Sequence, residues 1–246
     1  PMLDELVFVG GCTTGLFITD PAAAGIRPTV DIDAIVDVSS YAGYAALADR
    51  LRAVGLGEDT SPGAPMCRWR RDGVVVDVMP VDERILGFSN CWYPAALATA
   101  RALDLAELRI RVVTPALFVA TKLEALHGRG RGDFLGSHDL EDIVTVFDGR
   151  AELPGEIADA PADVRDYIAA ELGALLGNRD FLDALSGFLP PDAASQRRRG
   201  AIDFDEQVSK ALLELGMPDA FAGAPMAGIH HYLDGIKAAS FSLSLD

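Results

Sequence analysis

The stretch RPTVDIDAIVDV, residues 27–38, carries two aspartates two positions apart inside an apolar run that reads as a β-strand. Side chains along a strand alternate faces, so Asp31 and Asp33 share one side, roughly 6–7 Å apart along the chain, while Val30 and Ile32 face the other. Two like charges on one side are unfavourable without a cation between them. Mg²⁺, a hard ion that seeks oxygen, is the natural candidate, with Mn²⁺ as its substitute. A plain solvent-facing Asp-x-Asp strand is the alternative. In GVVVDVMP, residues 73–80, Asp77 interrupts a run that otherwise reads as a buried central strand, where a carboxylate is costly unless paired, hydrogen-bonded or metal-bound. If the two strands are neighbours, three carboxylates converge.

Upstream lies FVGGCTTGLF, residues 8–17, where an apolar run ends in Gly10-Gly11 and turns toward a helical segment. Such a corner leaves backbone N–H groups unpaired, with the positive end of a helix behind them, and suits an anion such as phosphate. An ordinary strand-to-helix turn reads the same way. No Gly-Lys-Ser/Thr follows, so it is not a P-loop, and a dinucleotide fingerprint would need a third glycine. Beside three carboxylates, the corner fits two-metal phosphoryl chemistry.

The chain has 246 residues, half of them hydrophobic, enough for one large core or two small ones. Its 21 Lys plus Arg against 37 Asp plus Glu give a net charge of −16, which disfavours broad nucleic-acid binding. Basic residues bunch at 68–71 (RWRR), 128–132 (GRGRG) and 196–200 (QRRRG), where a local phosphate contact competes with plain solvated loops. No run of about 18 apolar residues and no charged-then-apolar leader are found, so the expectation is a cytoplasmic chain without a membrane span. Cys12, Cys67 and Cys91 support neither a disulfide framework nor a zinc site and are expected to be buried thiols. His127, His138, His230 and His231 form no zinc pattern either. Trp69 and Trp92 read as core or rim aromatics, with base stacking a minor alternative.

Strands are expected at LVFV, TVDIDAIVDV, MCRWR, GVVVDVMP and RIRVV, the third and fourth joined as a hairpin at Asp72-Gly73. A helix over 41–54, capped by Ser39 or Ser40, stops at Gly55. The fold class is therefore α/β or α+β with a mixed sheet. From Thr114, a cap followed by Pro115, the pattern turns helical, with further helices at 137–147, 162–176, 205–215 and 230–239. Two regions are expected: a sheet core over 1–113 and a helical domain over 114–246 covering the cleft.

VGGCTT, then DID, then an isolated Asp in a hydrophobic strand resembles the polymerase-β-type nucleotidyltransferases. More narrowly, RPTVDID together with TKLEALHGRGRGDFLGSHDLEDIVTVF, residues 121–147, resembles the AbiEii/AbiGii toxin-type branch, the likeness spanning roughly 8–147. Two positions depart from that pattern: Cys12 stands where relatives often carry Ser or Trp, and His138 replaces the Arg before Asp-x-x-Asp. The resemblance implies a nucleotidyltransferase-like mixed sheet with flanking helices and a site in which Asp31 and Asp33 ligate Mg²⁺. Asp77 would share the metal or help deprotonate the acceptor. Gly10, Gly11 and Thr13 would hold the triphosphate of an NTP, with Thr14 a second hydroxyl, and Arg27 would contact the nucleotide. Lys122 would neutralise phosphate charge, and Asp139 or Asp142 would orient the acceptor or bind Lys122.

The reaction so implied is transfer of a nucleoside monophosphate from an NTP to an acceptor hydroxyl or phosphate, with pyrophosphate leaving. The acceptor is RNA, such as a tRNA 3′ end, or protein in a toxin-like enzyme, which Arg129 and Arg131 favour. In an antibiotic-modifying enzyme it is a cationic aminoglycoside, which the acidic surface favours. A non-catalytic module that pairs with an antitoxin and a two-metal phosphohydrolase are the competing classes.

Overall fold

The computed structural model describes residues 2–188 apart from 22, 24 and 130–132. The helices expected at 205–215 and 230–239, the basic run at 196–200, and Arg131, His230 and His231 lie outside the described residues.

A seven-stranded mixed sheet organises the chain. At its centre β1 (Leu6–Val9) pairs antiparallel with β2 (Asp31–Val36), and β2 pairs parallel with β5 (Val74–Pro80). Outward from β5 come β4 (Arg68–Arg71) and the short edge strand β3 (Gly57–Glu58), both antiparallel to their neighbours. On the other flank β7 (Leu108–Val112) runs parallel to β1, and β6 (Arg101–Leu105) closes that edge as a hairpin, giving the order β3-β4-β5-β2-β1-β7-β6. The β4–β5 hairpin turns at Asp72 (φ 51°) and Gly73 (φ 84°). Positive φ at both central residues is the two-residue turn that an Asp-Gly step favours.

Alternation along the strands assigns each face. Ala34 and Val36 of β2, Val78 of β5 and Trp69 of β4 pack against Leu47, Ala48 and Leu51 of α2 (Tyr41–Ala53), whose Ser40 cap accepts from Gly43 N at 3.1 Å. Gly55, at φ +88°, ends that segment in the left-handed region. The opposite face, with Val7, Val9, Ile35 and Met79, joins the larger core built around α5 (Pro115–Arg129) and α6 (His138–Gly149). Phe118 and Phe147 are fully buried there, each contributing about 1.5–3 kcal/mol by leaving water. Residues 31, 33 and 35 of β2 share a face, as do 77 and 79 of β5. The aspartates therefore continue the same side that Ile35 and Met79 line, at the end where the apolar stripe gives out.

The remaining helices are α1 (Thr14–Phe17), α3 (Glu83–Leu86), α4 (Tyr93–Thr99), α7 (Leu153–Ala158), α8 (Ala162–Leu176) and α9 (Arg179–Phe188). Five strands and four helices fall where the sequence places them, within a few residues at their ends. The helices α3, α4, α7 and α9 and the strands β3 and β6 lie outside the sequence expectation; five of these six are only two to seven residues long, too short to show a period. The corner after β1 also differs from expectation. Gly11–Thr13 form one 3₁₀ turn and α1 has four residues, too little helix for a substantial dipole.

Candidate active site

Parallel pairing of β2 with β5 sets Asp33 directly opposite Asp77, and Asp31 lies one pleat further on the same face. One carboxylate oxygen from each of Asp31, Asp33 and Asp77 lies within 4.8 Å of the others. Asp77 is 7% exposed, while Asp31 and Asp33 are half-buried. Three oxygen donors at this spacing suit a hard divalent cation better than thiol-seeking metals.

Gly10 sits against this cluster. Its backbone, φ 70° and ψ −166°, lies in a region that only glycine adopts readily, and a Cβ there would meet Asp33 Oδ2 at 2.2 Å. Close approach of the turn to Asp33 is thus what the glycine permits. Cys12 fastens the turn to both flanking strands, its thiol donating to Val9 O at 3.1 Å and Asp33 O at 3.9 Å. Burial pushes that thiol up to about 11, so it is a hydrogen-bond donor at neutral pH. Thr13 is fully buried, with its hydroxyl donating to Gly10 O at 2.8 Å, and Thr14 is fully buried as well. The Thr13 hydroxyl thus braces the turn from behind. Phe17 of α1 stacks edge-on with Phe118 of α5 at 5.0 Å, tying the turn to the helical layer.

The facing wall comes from α5 and α6. Lys122 Nζ donates to Asp139 at 2.9 Å and to Asp142 at 2.7 Å, so both candidate partners hold it. Lys122 is 8% and Asp142 2% exposed. Burial pulls the Lys122 ammonium down, but Asp142 and Asp139 together outweigh it and leave it above the ordinary lysine value. Arg27 reaches the same cluster, 3.2 Å from Glu141 and 3.5 Å from Asp142. A Cβ on Gly11 would lie 3.2 Å from Asp142 Oδ2, so the two glycines of the turn abut the two acidic groups of the site. His138 is exposed and 3.4 Å from Glu141.

The residue that sequence reasoning missed is Arg68. Its Nε donates to Asp77 Oδ1 at 2.9 Å, and its Nη2 donates to Asp77 Oδ2 at 2.7 Å and to Asp31 Oδ2 at 3.3 Å. The hydrogen bond with Asp77 raises the guanidinium above its ordinary value against the opposing effect of burial. RWRR is thus neither a solvated loop nor a free phosphate site. Trp69 is core, Arg70 pairs with Asp59 at 2.6 Å, and Arg71 donates to Val54 O. The signal was available: a two-residue turn at 72–73 puts Arg68 opposite Asp77.

Between these walls opens a cleft of about 1030 Å³, floored by Asp31, Asp33, Asp77 and Arg68 and walled by Gly10, Gly11, Arg27, Lys122 and Asp139. Phe88, Tyr93, Glu124 and His127 also line it. Residues 150–188 line none of it among those described. Cys91, contrary to expectation, is exposed, whereas Cys67 is buried. Trp92 packs on Tyr167 at 4.9 Å as a rim aromatic. Among the described residues, no helix is long and apolar enough to cross a membrane.

No protein-family model matches the sequence, and no curated protein matches it. Among solved structures, the chain is similar to the crystal structure of an antigenic nucleotidyltransferase-like protein from Paracoccidioides brasiliensis, at 18% sequence identity and a TM-score of 0.46, covering 74% of this chain and 84% of that one.

Proposed function

We propose that this protein is a divalent-metal-dependent nucleotidyltransferase that moves a nucleoside monophosphate from an NTP to an acceptor hydroxyl or phosphate. The observation that carries the reading is the convergence of Asp31, Asp33 and Asp77 on one sheet face, beneath the Gly10–Gly11 turn and opposite Lys122. In the reaction an acceptor oxygen bonds to the α-phosphorus and, where it is a hydroxyl, gives its proton to water; the bond from that phosphorus to the oxygen bridging to the β-phosphate breaks, and pyrophosphate leaves with the electron pair. Mg²⁺ or Mn²⁺ held by Asp31, Asp33 and Asp77 would supply Lewis-acid stabilisation of the charge on the phosphate oxygens. The chain itself contributes the glycine turn, whose lack of side chains lets phosphate approach the backbone, and the cations of Arg27 and Lys122 facing it. Both Asp77 oxygens accept from Arg68, which supports a ligand role for Asp77 over that of acceptor base.

The resemblance of RPTVDID and residues 121–147 to the AbiEii/AbiGii branch supports a toxin-like enzyme acting on RNA or protein, with an antitoxin as its partner. A specific observation favours a second reading: the cleft lining also includes Phe88, Tyr93 and Glu124, aromatic and acidic groups suited to a small cationic acceptor such as an aminoglycoside. Label transfer from each α-labelled NTP, with Mg²⁺, to total RNA, cell protein and an aminoglycoside panel separates these. Label in one pool that is lost in Asp33→Asn supports the reaction and names the acceptor. No transfer, together with no NTP binding by the folded protein, overturns it in favour of a partner-binding module.

A further inference from the structure

We propose that Arg68 is an internal counter-cation of the aspartate triad, which keeps the free protein from taking up a divalent ion tightly and makes metal binding depend on nucleotide. The inference rests on the metal-binding reading of Asp31, Asp33 and Asp77.

Three carboxylates whose oxygens approach within 4.8 Å repel one another strongly unless positive charge lies among them. Arg68 supplies it. Its Nη2 is shared between Asp77 Oδ2 and Asp31 Oδ2, two of the groups that would ligate metal, while Nε holds the second Asp77 oxygen. The unequal distances, 2.7 Å to Asp77 and 3.3 Å to Asp31, describe a fork anchored on Asp77 with a weaker reach to Asp31. The anchor is built into the sheet, because the β4–β5 register fixes Arg68 opposite Asp77. Arg68 is also partly exposed, so the reach to Asp31 can be given up without breaking the core.

An incoming divalent cation therefore meets a guanidinium already among its donors. Like charges in a half-buried site oppose each other, and the free ion is disfavoured. An ion carried by a triphosphate brings compensating negative charge, so the same guanidinium no longer opposes it. The fork also fixes both oxygens of Asp77 in place, which makes Arg68 a positioning residue and not a catalytic one.

The test is Mn²⁺ binding to the full chain, followed by electron paramagnetic resonance with and without a non-hydrolysable NTP analogue. Arg68→Met removes the charge. Arg68→Gln removes it while keeping a donor for Asp77 and serves if the Met variant does not fold. Arg68→Lys retains the charge. Neutral variants that bind free Mn²⁺ about tenfold or more tighter than wild type, with Arg68→Lys near wild type, support the proposal. Their thermal midpoint would fall in EDTA and recover on adding Mg²⁺ more than that of wild type does. Neutral variants that bind free Mn²⁺ no tighter than wild type overturn it. The parent reading is judged separately: Mn²⁺ binding with the analogue that is lost in Asp33→Asn sustains the metal site whatever Arg68 does. No binding by any variant removes both.

Discussion

Replacing Gly10 by Ala tests how the turn and the triad depend on each other. The backbone at Gly10, φ 70° and ψ −166°, is a conformation that costs a residue with a Cβ about 1–3 kcal/mol. The added methyl would also lie 2.2 Å from Asp33 Oδ2, 2.9 Å from its Cγ and 3.0 Å from its Cβ. The carboxylate end could rotate away, but contact with Cβ means that the turn or β2 must shift too. A total near 2–3 kcal/mol at a urea slope of about 2 kcal/mol/M lowers the unfolding midpoint by about 1–1.5 M. Divalent cation binding should fall with it, because Asp33 leaves the cluster. Gly11→Ala is the control. Its nearest contacts would be 3.2 Å to Asp142 Oδ2 and 3.4 Å to Arg27 Nη2, and its φ lies outside the left-handed region, so the loss should stay under about 1 kcal/mol. A Gly10→Ala protein with the wild-type midpoint and Mn²⁺ affinity, or a Gly11→Ala protein equally damaged, would mean that neither the Gly10 backbone nor its contact with Asp33 sets the requirement for glycine.

Other consequences follow from the charges and thiols. Lys122→Met leaves the buried Asp142 without its 2.7 Å partner and should cost about 3–5 kcal/mol in urea unfolding, with Lys122→Met/Asp142→Asn recovering much of it. Because the folded-state Lys122 value is raised, its stabilisation is complete below the unfolded value, about 10.4, and is lost as pH rises through the folded one. Urea midpoints should fall above about pH 10, where Tyr44, pushed up to about 12 by burial, adds to the loss, and the difference between wild type and Lys122→Met should shrink there. At pH 8 iodoacetamide should label the exposed Cys91 first, leaving Cys12 and Cys67 until the protein unfolds, as counted by mass spectrometry.

The local half of the site was legible in the sequence. Period-two alternation put Asp31 and Asp33 on one face, and Asp72-Gly73 fixed a hairpin whose two-residue turn pairs Arg68 with Asp77. The β2–β5 pairing that brings Asp77 to Asp33 was an inference from chemistry, because a parallel crossover leaves no local mark of its register. The contacts of Lys122 entered only as what the resemblance implies, with Asp139 and Asp142 as alternatives. Only the packing of α5 on α6 shows that Asp139 and Asp142 both grip the lysine. Sequence position likewise does not show that the 3₁₀ turn after Gly10 directs Thr13 into the core, where its hydroxyl donates to Gly10 O.

The three cations of the cleft, Lys122, Arg27 and Arg68, impose a constraint on nucleotide binding. Lys122 already donates to two carboxylates, and Arg27 lies within 3.5 Å of Asp142 and nearer Glu141. Arg68 is likewise committed to Asp77 and Asp31. A triphosphate entering alone would meet cations whose charge is largely answered, with the Asp33 carboxylate beside them, in a chain of net charge −16. Attraction for phosphate must then come chiefly with the divalent ion. NTP should bind at least tenfold more weakly in EDTA than with Mg²⁺, read by isothermal titration, and the gap should narrow in Asp31→Asn, where one repelling charge is gone. Equal NTP affinity with and without metal would mean that Arg27 and Lys122 turn from their carboxylates toward phosphate, and the balance of charge argued here would fail.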